Sequence, residues 1–124
     1  MRTEDGYINL MHRVYKNSPF LSRKKYRLSK DVYKPAVIML HGLIDSSDSF
    51  ILNGPDKAPG FIAADEDYDV WVPNTRGNRY SIMHETLDPY SDEKYWDHSF
   101  SDFAKYDLPA FINYIKNHTK LNSK

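Results

Sequence analysis

Ala36-Val37-Ile38-Met39-Leu40 is an unbroken apolar run that stops at His41-Gly42. A strand that is apolar on both faces belongs inside a parallel sheet covered by helices on both sides, because neither face meets water. Working outward, Tyr68-Asp69-Val70-Trp71-Val72 is a second buried-type strand, halted by Pro73-Asn74. Between the two, Ala58, Phe61 and Ile62 sit at helical spacing and predict a short helix reaching about Asp65. Past the second strand, Asp107 is placed to cap a helix with Pro109 in its first turn, where a missing N–H costs nothing. Leu108, Phe111, Ile112 and Ile115 then follow the i, i+3, i+4, i+7 rule, and the helix is expected to fray at Asn117-His118-Thr119. Toward the N-terminus, Asp5-Gly6 is a hairpin-turn dipeptide. The residues after it read as one strand with Ile8, Leu10 and Val14 on one face and Tyr7, Asn9, Met11, Arg13 and Tyr15 on the other. The hairpin arm before Thr3 has only two residues, and a second arm is expected near Tyr26–Leu28. The order of hairpin, buried strand, helix, buried strand and helix is that of an α/β protein of the doubly wound kind.

Composition narrows the function. The chain has 124 residues, room for one domain. Lys plus Arg and Asp plus Glu both number 17, so the footprint of a nucleic-acid binder or a polybasic membrane clamp is missing. The basic residues of Asn17–Lys34 (Arg23, Lys24, Lys25, Arg27, Lys30) read as a solvated connection rather than an anion site. The absence of Cys excludes a disulfide scaffold, a thiolate metal site and a Cys nucleophile. No apolar run approaches the roughly 20 residues needed to cross a bilayer. The polar, acidic start Met1-Arg2-Thr3-Glu4-Asp5-Gly6 does not read as a signal peptide.

In open parallel sheets ligands bind off the carboxyl ends of the strands. Two segments lie there, His41–Asp48 and Asn74–Arg79. Gly42 lets the backbone turn so that the next N–H faces the cleft, where it can stabilise an oxyanion in acyl transfer. Other candidates do not assemble a site. His84-Glu85 opens like a zinc-peptidase pattern, but the matching position is Asp88 and not His, so no metal site is expected. Asp97, His98 and Asp107 can be paired on paper with any of eleven Ser, which makes such triads uninformative. Trp71, Phe103, Tyr106, Phe111 and Tyr114 are assigned to the core, and Arg76 to tying its loop to neighbouring carbonyls. Asn117-His118-Thr119 is a glycosylation sequon, relevant in a secreted chain.

Several segments together resemble the acid lipases, the gastric and lysosomal lipases and sterol-ester hydrolases of the α/β-hydrolase fold. They are Thr3–Ile8, Leu40-His41-Gly42-Leu43, Asp45–Asp48, Leu52–Lys57, Tyr68–Trp71, Arg76-Gly77-Asn78, Tyr80-Ser81 and Ala104–Ala110. The resemblance runs from Thr3 to about Thr119. It implies hydrolysis of triacylglycerols or sterol esters by a Ser-His-Asp triad through an acyl-enzyme, with no cofactor. The family's Ser stands in a Gly-x-Ser-x-Gly elbow. The five Gly here are followed two residues later by Ile8, Ile44, Asp56, Ile62 and Arg79, so no such elbow occurs in these residues.

The resemblance therefore implies an incomplete α/β-hydrolase fold. Residues 1–124 would be a single partial domain stopping before the nucleophile, and inactive alone. Leu43 carries over as one oxyanion donor through its backbone N–H, with His41 and Gly42 structural beside it. The same resemblance implies that strand Ala36–Leu40 lies between Tyr68–Val72 and the nucleophile strand. Left as an edge, it would be open to a partner chain and leave the isolated chain marginally stable. Lipid esters are the expected substrate of the whole protein, and the family is secreted or lysosomal. Three positions depart from the family pattern: Asp67 and Pro73 stand where Gly is usual, and Phe50 where Trp is usual.

Overall fold

The computed structural model describes residues 1–15 and 34–119. The basic connection up to residue 33 and the second hairpin arm near Tyr26–Leu28 lie outside these residues. The main sheet has three strands in the order β2 (Met11–Val14), β4 (Asp69–Pro73), β3 (Ala36–Ile38). β4 pairs antiparallel with β2 and parallel with β3, with Val37 opposite Val70. The parallel pair is the one that the two apolar runs predict. All five residues of β4 are buried, as befits a central strand whose two faces are both covered.

Alternation along β4 divides the core. Val70 and Val72 face Val14 and Ala64, with Phe50, Ile51 and Phe61 packed around them. Ala64 and Phe61 belong to α1 (Pro59–Asp65), which matches the expected helix. Trp71 points the opposite way, edge-on to Tyr114 of α3 (Leu108–His118) with ring centroids 6.1 Å apart, and Arg13 lies 4.6 Å over its ring. One helix therefore sits on each side of the sheet, which is the α/β arrangement read from the sequence.

Four local expectations are corrected. The N-terminal segment is two strands in two sheets: β1 (Tyr7–Ile8) pairs with β5 (Met83–His84), while β2 joins the main sheet. Its facing also reverses before Leu10, since Tyr7 and Asn9 are buried and Leu10 is exposed. The cause is Tyr7, whose ring lies under the Arg76 guanidinium at 3.9 Å and whose hydroxyl donates to the Tyr95 carbonyl. Even the two-residue arm before Thr3 suffices for a hairpin. Arg2 bridges Ile8, and Gly6 takes the positive φ of +97° that the turn requires.

Second, β3 stops at Ile38, although the Met39 N–H still donates to the Trp71 carbonyl at 2.9 Å. Its residues are half-buried, because β4 covers only one of its edges among the described residues. Third, Asp107 is not a helix cap. The helix begins earlier, at α2 (Phe100–Asp102), where the Ser99 N–H donates to the Asp102 carboxylate at 2.7 Å. A π turn over Phe103–Asp107 then leads into α3, with the Leu108 N–H bonded five residues back to the Phe103 carbonyl. That wide turn admits Pro109, whose ring would otherwise press on the carbonyl four residues before it. Fourth, the aromatic residues assigned to the core divide: Trp71 and Phe111 are buried, Phe103 and Tyr106 are half-buried, and Tyr114 is 37% exposed. Among the described residues no helix is long and apolar enough to cross a membrane.

Candidate functional site

The turn His41-Gly42-Leu43 follows β3 at its carboxyl end, and the loop Asn74–Ser81 follows β4 at the same end of the sheet. Parallel pairing brings the two loops together, as the order of the strands predicts. A polar network fastens them. The Asn74 Oδ1 accepts from the Ser47 N–H at 2.9 Å and from Asn78 Nδ2 at 2.8 Å, and Asn74 Nδ2 donates to Ser47 Oγ at 3.1 Å. Asn78 Oδ1 accepts the N–H groups of Tyr80 and Ser81 at 2.9 and 3.0 Å. Ser81 Oγ donates to the Asn74 carbonyl at 2.8 Å and accepts from the Leu10 N–H at 2.9 Å, which ties in the start of β2. Asn74, Ser47 and Ser81 are fully buried, so each of these bonds replaces a water that the site cannot supply.

His41 belongs to this network. Its Nε2 faces two donors, the Thr75 N–H and Asn78 Nδ2, both at 3.2 Å. Its Nδ1 lies 2.7 Å from the Gly42 carbonyl oxygen. An acceptor on one side and donors on the other put the proton on Nδ1 and the lone pair on Nε2. Both ring nitrogens are thus engaged inside the protein.

Gly42 makes its turn without a positive φ, so the special backbone freedom of glycine is not what this position uses. A Cβ there would meet nothing within 4 Å, and the face beside the turn is open. The Leu43 N–H makes no hydrogen bond within the described residues, and Leu43 and Ile44 are 66% and 99% exposed. Two surface grooves of about 330 and 480 Å³ open beside α3, and neither includes His41, Gly42 or Leu43.

The remaining candidates are accounted for by the fold. His84 Nε2 meets the Asp5 carbonyl at 3.0 Å, and its Nδ1 accepts from the Thr86 and Leu87 N–H groups at 3.1 Å. His98 packs among Tyr7, Phe103 and Trp96 rings with no Ser bonded to it. One Ser–His hydrogen bond exists among the described residues, between His12 Nδ1 and Ser47 Oγ at 3.0 Å. Ser47 is 0% exposed and its hydroxyl is also taken by Asn74, so no substrate carbonyl reaches it.

Arg76 does more than tie carbonyls, since its partners are carboxylates. It is bonded to Asp107 at 2.7 and 3.0 Å and to Asp5 at 2.6 and 3.0 Å, and its N–H donates to Asp107 Oδ2 at 3.0 Å. Burial works against its charge, but the hydrogen bonds it donates to the two carboxylates outweigh that and raise the guanidinium further above its ordinary range. Burial likewise pushes the Asp5 carboxyl up, yet bonds from Arg76 and Thr3 prevail and hold it below the usual carboxylate range. Burial also pushes the nearby Tyr95 hydroxyl up to about 12. This cluster joins the first hairpin, the loop after β4 and α3, and it leaves no charge free for chemistry.

Residues 35–123 match the family model of the α/β hydrolase fold, and residues 1–54 match that of a partial α/β-hydrolase lipase region. The chain belongs to the α/β-hydrolase fold family. Within it, the likeness is to lipases. Lipase 1 of Drosophila melanogaster is 42% identical over 113 residues, covering 91% of this chain and 22% of that protein. Lysosomal acid lipase/cholesteryl ester hydrolase of Homo sapiens is 42% identical over 119 residues, covering 96% and 28%. Triacylglycerol lipase 1 of Arabidopsis thaliana is 41% identical over 115 residues, covering 93% and 26%. The chain thus spans about a quarter of the length of the curated relatives it matches.

Sequence reasoning placed His41, Gly42 and Leu43 at this end of the sheet. It did not single out Asn74, Ser47 or the amide of Asn78. Their signal was present as uncharged amides directly after a buried strand, where a side chain must find its partners inside the protein.

Proposed function

We propose that these residues supply the oxyanion turn and the first part of the sheet of a carboxylic ester hydrolase acting on lipid esters, triacylglycerols or sterol esters. The observation that carries this reading is the unengaged Leu43 N–H at the carboxyl end of β3, next to an open face and behind a fastened His41. When a nucleophile adds to an ester carbonyl, negative charge gathers on the oxygen, and a fixed N–H aimed there lowers the barrier. One such donor is worth about 3 kcal/mol, or roughly 10²–10³ in kcat. The Gly-x-Ser-x-Gly elbow that would carry the attacking serine is not among these 124 residues, since no Gly is followed two positions on by Ser. By themselves these residues hold no competent nucleophile and do not turn over esters. The relatives' printed names, a triacylglycerol lipase and a cholesteryl ester hydrolase, support the substrate class.

A chimera tests the reading. This chain replaces the matching 119-residue stretch of the human lysosomal enzyme, and cholesteryl ester hydrolysis is measured. Turnover is expected, with Leu43→Ala near the parent and Leu43→Pro, which has no N–H, about a hundredfold slower in kcat. Equal rates for Leu43→Pro and Leu43→Ala contradict it.

A second reading, that the open edge of β3 binds a strand of a partner chain, is favoured by one feature of the pairing. The Pro35 carbonyl and the Met39 N–H bond to β4, so the alternation turns the N–H and C=O of Ala36 and Ile38 away from it. Exposed Leu40 continues that edge. On this reading, sedimentation velocity shows association that Ile38→Pro weakens, because that substitution removes an outward donor and spares the pairing with β4. Association unchanged by Ile38→Pro excludes the edge.

A further inference from the structure

We infer that Asn78 is a positioning residue for the oxyanion turn, acting through His41 on the Gly42–Leu43 peptide. The inference rests on the reading of Leu43 as an oxyanion donor and says what aims that donor. The Gly42 carbonyl and the Leu43 N–H belong to one peptide plane. The peptide is trans, so the two groups point in opposite directions. The His41 ring holds the carbonyl oxygen through Nδ1 at 2.7 Å. Fixing that oxygen fixes the N–H opposite to it, and the donor's direction is thereby set from behind.

The clamp works only while His41 keeps its proton on Nδ1, and Asn78 enforces this together with the Thr75 N–H. Its orientation is settled by its own four hydrogen-bonding positions. Oδ1 is taken by the N–H groups of Tyr80 and Ser81, so Nδ2 must face Asn74 Oδ1 at 2.8 Å and His41 Nε2 at 3.2 Å. A flipped amide would lose every one of these bonds. With a donor amide and the Thr75 N–H both aimed at Nε2, a proton on that nitrogen would face two more donors. The exposed Gly42 and Leu43 have little else to hold them. Only the Asp45 N–H also reaches the Gly42 oxygen among the described residues, at a longer 3.3 Å.

The test is nitrogen and carbon NMR of the isotopically labelled 124-residue chain, above the pH at which its histidines titrate. The expected result is a His41 ring with Nδ1 protonated and Nε2 bare. In Asn78→Ala only the Thr75 N–H is left facing Nε2, so the Nε2–H form gains population relative to the parent, and the Gly42 carbonyl and Leu43 amide resonances shift. The Val70 and Val72 amides stay in place and show that the sheet is intact. If Asn78→Ala loses the sheet, Asn78→Asp carries the test. It keeps the oxygen that accepts from Tyr80 and Ser81 but sets a second acceptor against the ring, so a proton must appear on Nε2. A parent ring protonated on Nε2, or a ring unmoved by Asn78→Ala or by Asn78→Asp, overturns the inference. None of these readouts needs catalysis. A Leu43→Pro chimera that turns over normally removes the oxyanion reading alone, and a wrong ring tautomer removes the clamp alone.

Discussion

Arg76 and Asp107 are both 99% shielded from water at their side chains, while Asp5 closes the cluster from the partly exposed side. A buried pair of this kind adds little by forming and costs much when one partner is removed, because the survivor keeps its charge in a medium that cannot solvate it. Asp107→Ala is therefore expected to cost about 3–5 kcal/mol, read as a lower midpoint in urea. A midpoint within about 0.5 kcal/mol of the parent contradicts the geometry. His98 gives the pH dependence at this scale. Burial first, and Arg76 second, lower its pKa from the ordinary 6.5, against the opposing pull of Asp107, Asp102 and Asp5. The fold thus favours the neutral ring. Its contribution is complete above pH of about 6.5 and is lost as pH falls from there through the folded-state value, since the unfolded chain takes up the proton first. Replacing it with an uncharged ring, His98→Phe, is expected to flatten the stability profile between pH 7 and 5, measured as urea midpoints. The lowered Asp5 carboxyl acts at more acid pH, below its ordinary 3.8, so the two windows separate. Identical slopes for parent and variant between pH 7 and 5 contradict the assignment to His98.

At the scale of elements, the connection from α1 to β4 turns on Asp67, whose φ is +65°. An L-residue in that region crowds its Cβ against the next carbonyl, and Asp tolerates it better than a branched residue does. Asp67→Gly is expected to raise stability by about 0.5 kcal/mol and Asp67→Val to lower it by about 1–2 kcal/mol, read from thermal midpoints. Equal midpoints for the two variants contradict the strain. Legible from the residues were α1, the parallel pair and the start of the hairpin. Each rests on a local rule, whether helical spacing, an unbroken apolar run or a turn dipeptide. The long helix was not legible, because Pro109 is a local signal for a helix start and only the π turn before it lets the chain pass through. The split of the first strand escaped for the same reason. Tyr7 is turned inward by Arg76, a residue 69 positions away in the chain, and no alternation pattern records that.

At the scale of the molecule, the described residues build a mixed three-stranded sheet with a helix on each side and leave the N–H and C=O of Ala36 and Ile38 facing outward at its edge. The position of the candidate site was legible because topology alone puts loops after parallel strands at one end of the sheet. Its fastening was not, because Asn74, Ser47, Asn78 and His41 meet only after β3 and β4 have paired. On the proposed function, this assembly offers an oxyanion donor and no attacking group. The most direct test is exposure of the purified 124-residue chain to a fluorophosphonate, followed by intact mass, alongside a short-chain ester assay. The account predicts an unmodified mass and hydrolysis no faster than buffer. A covalent adduct mapped to any serine, Ser47 included, together with turnover above buffer, would contradict it.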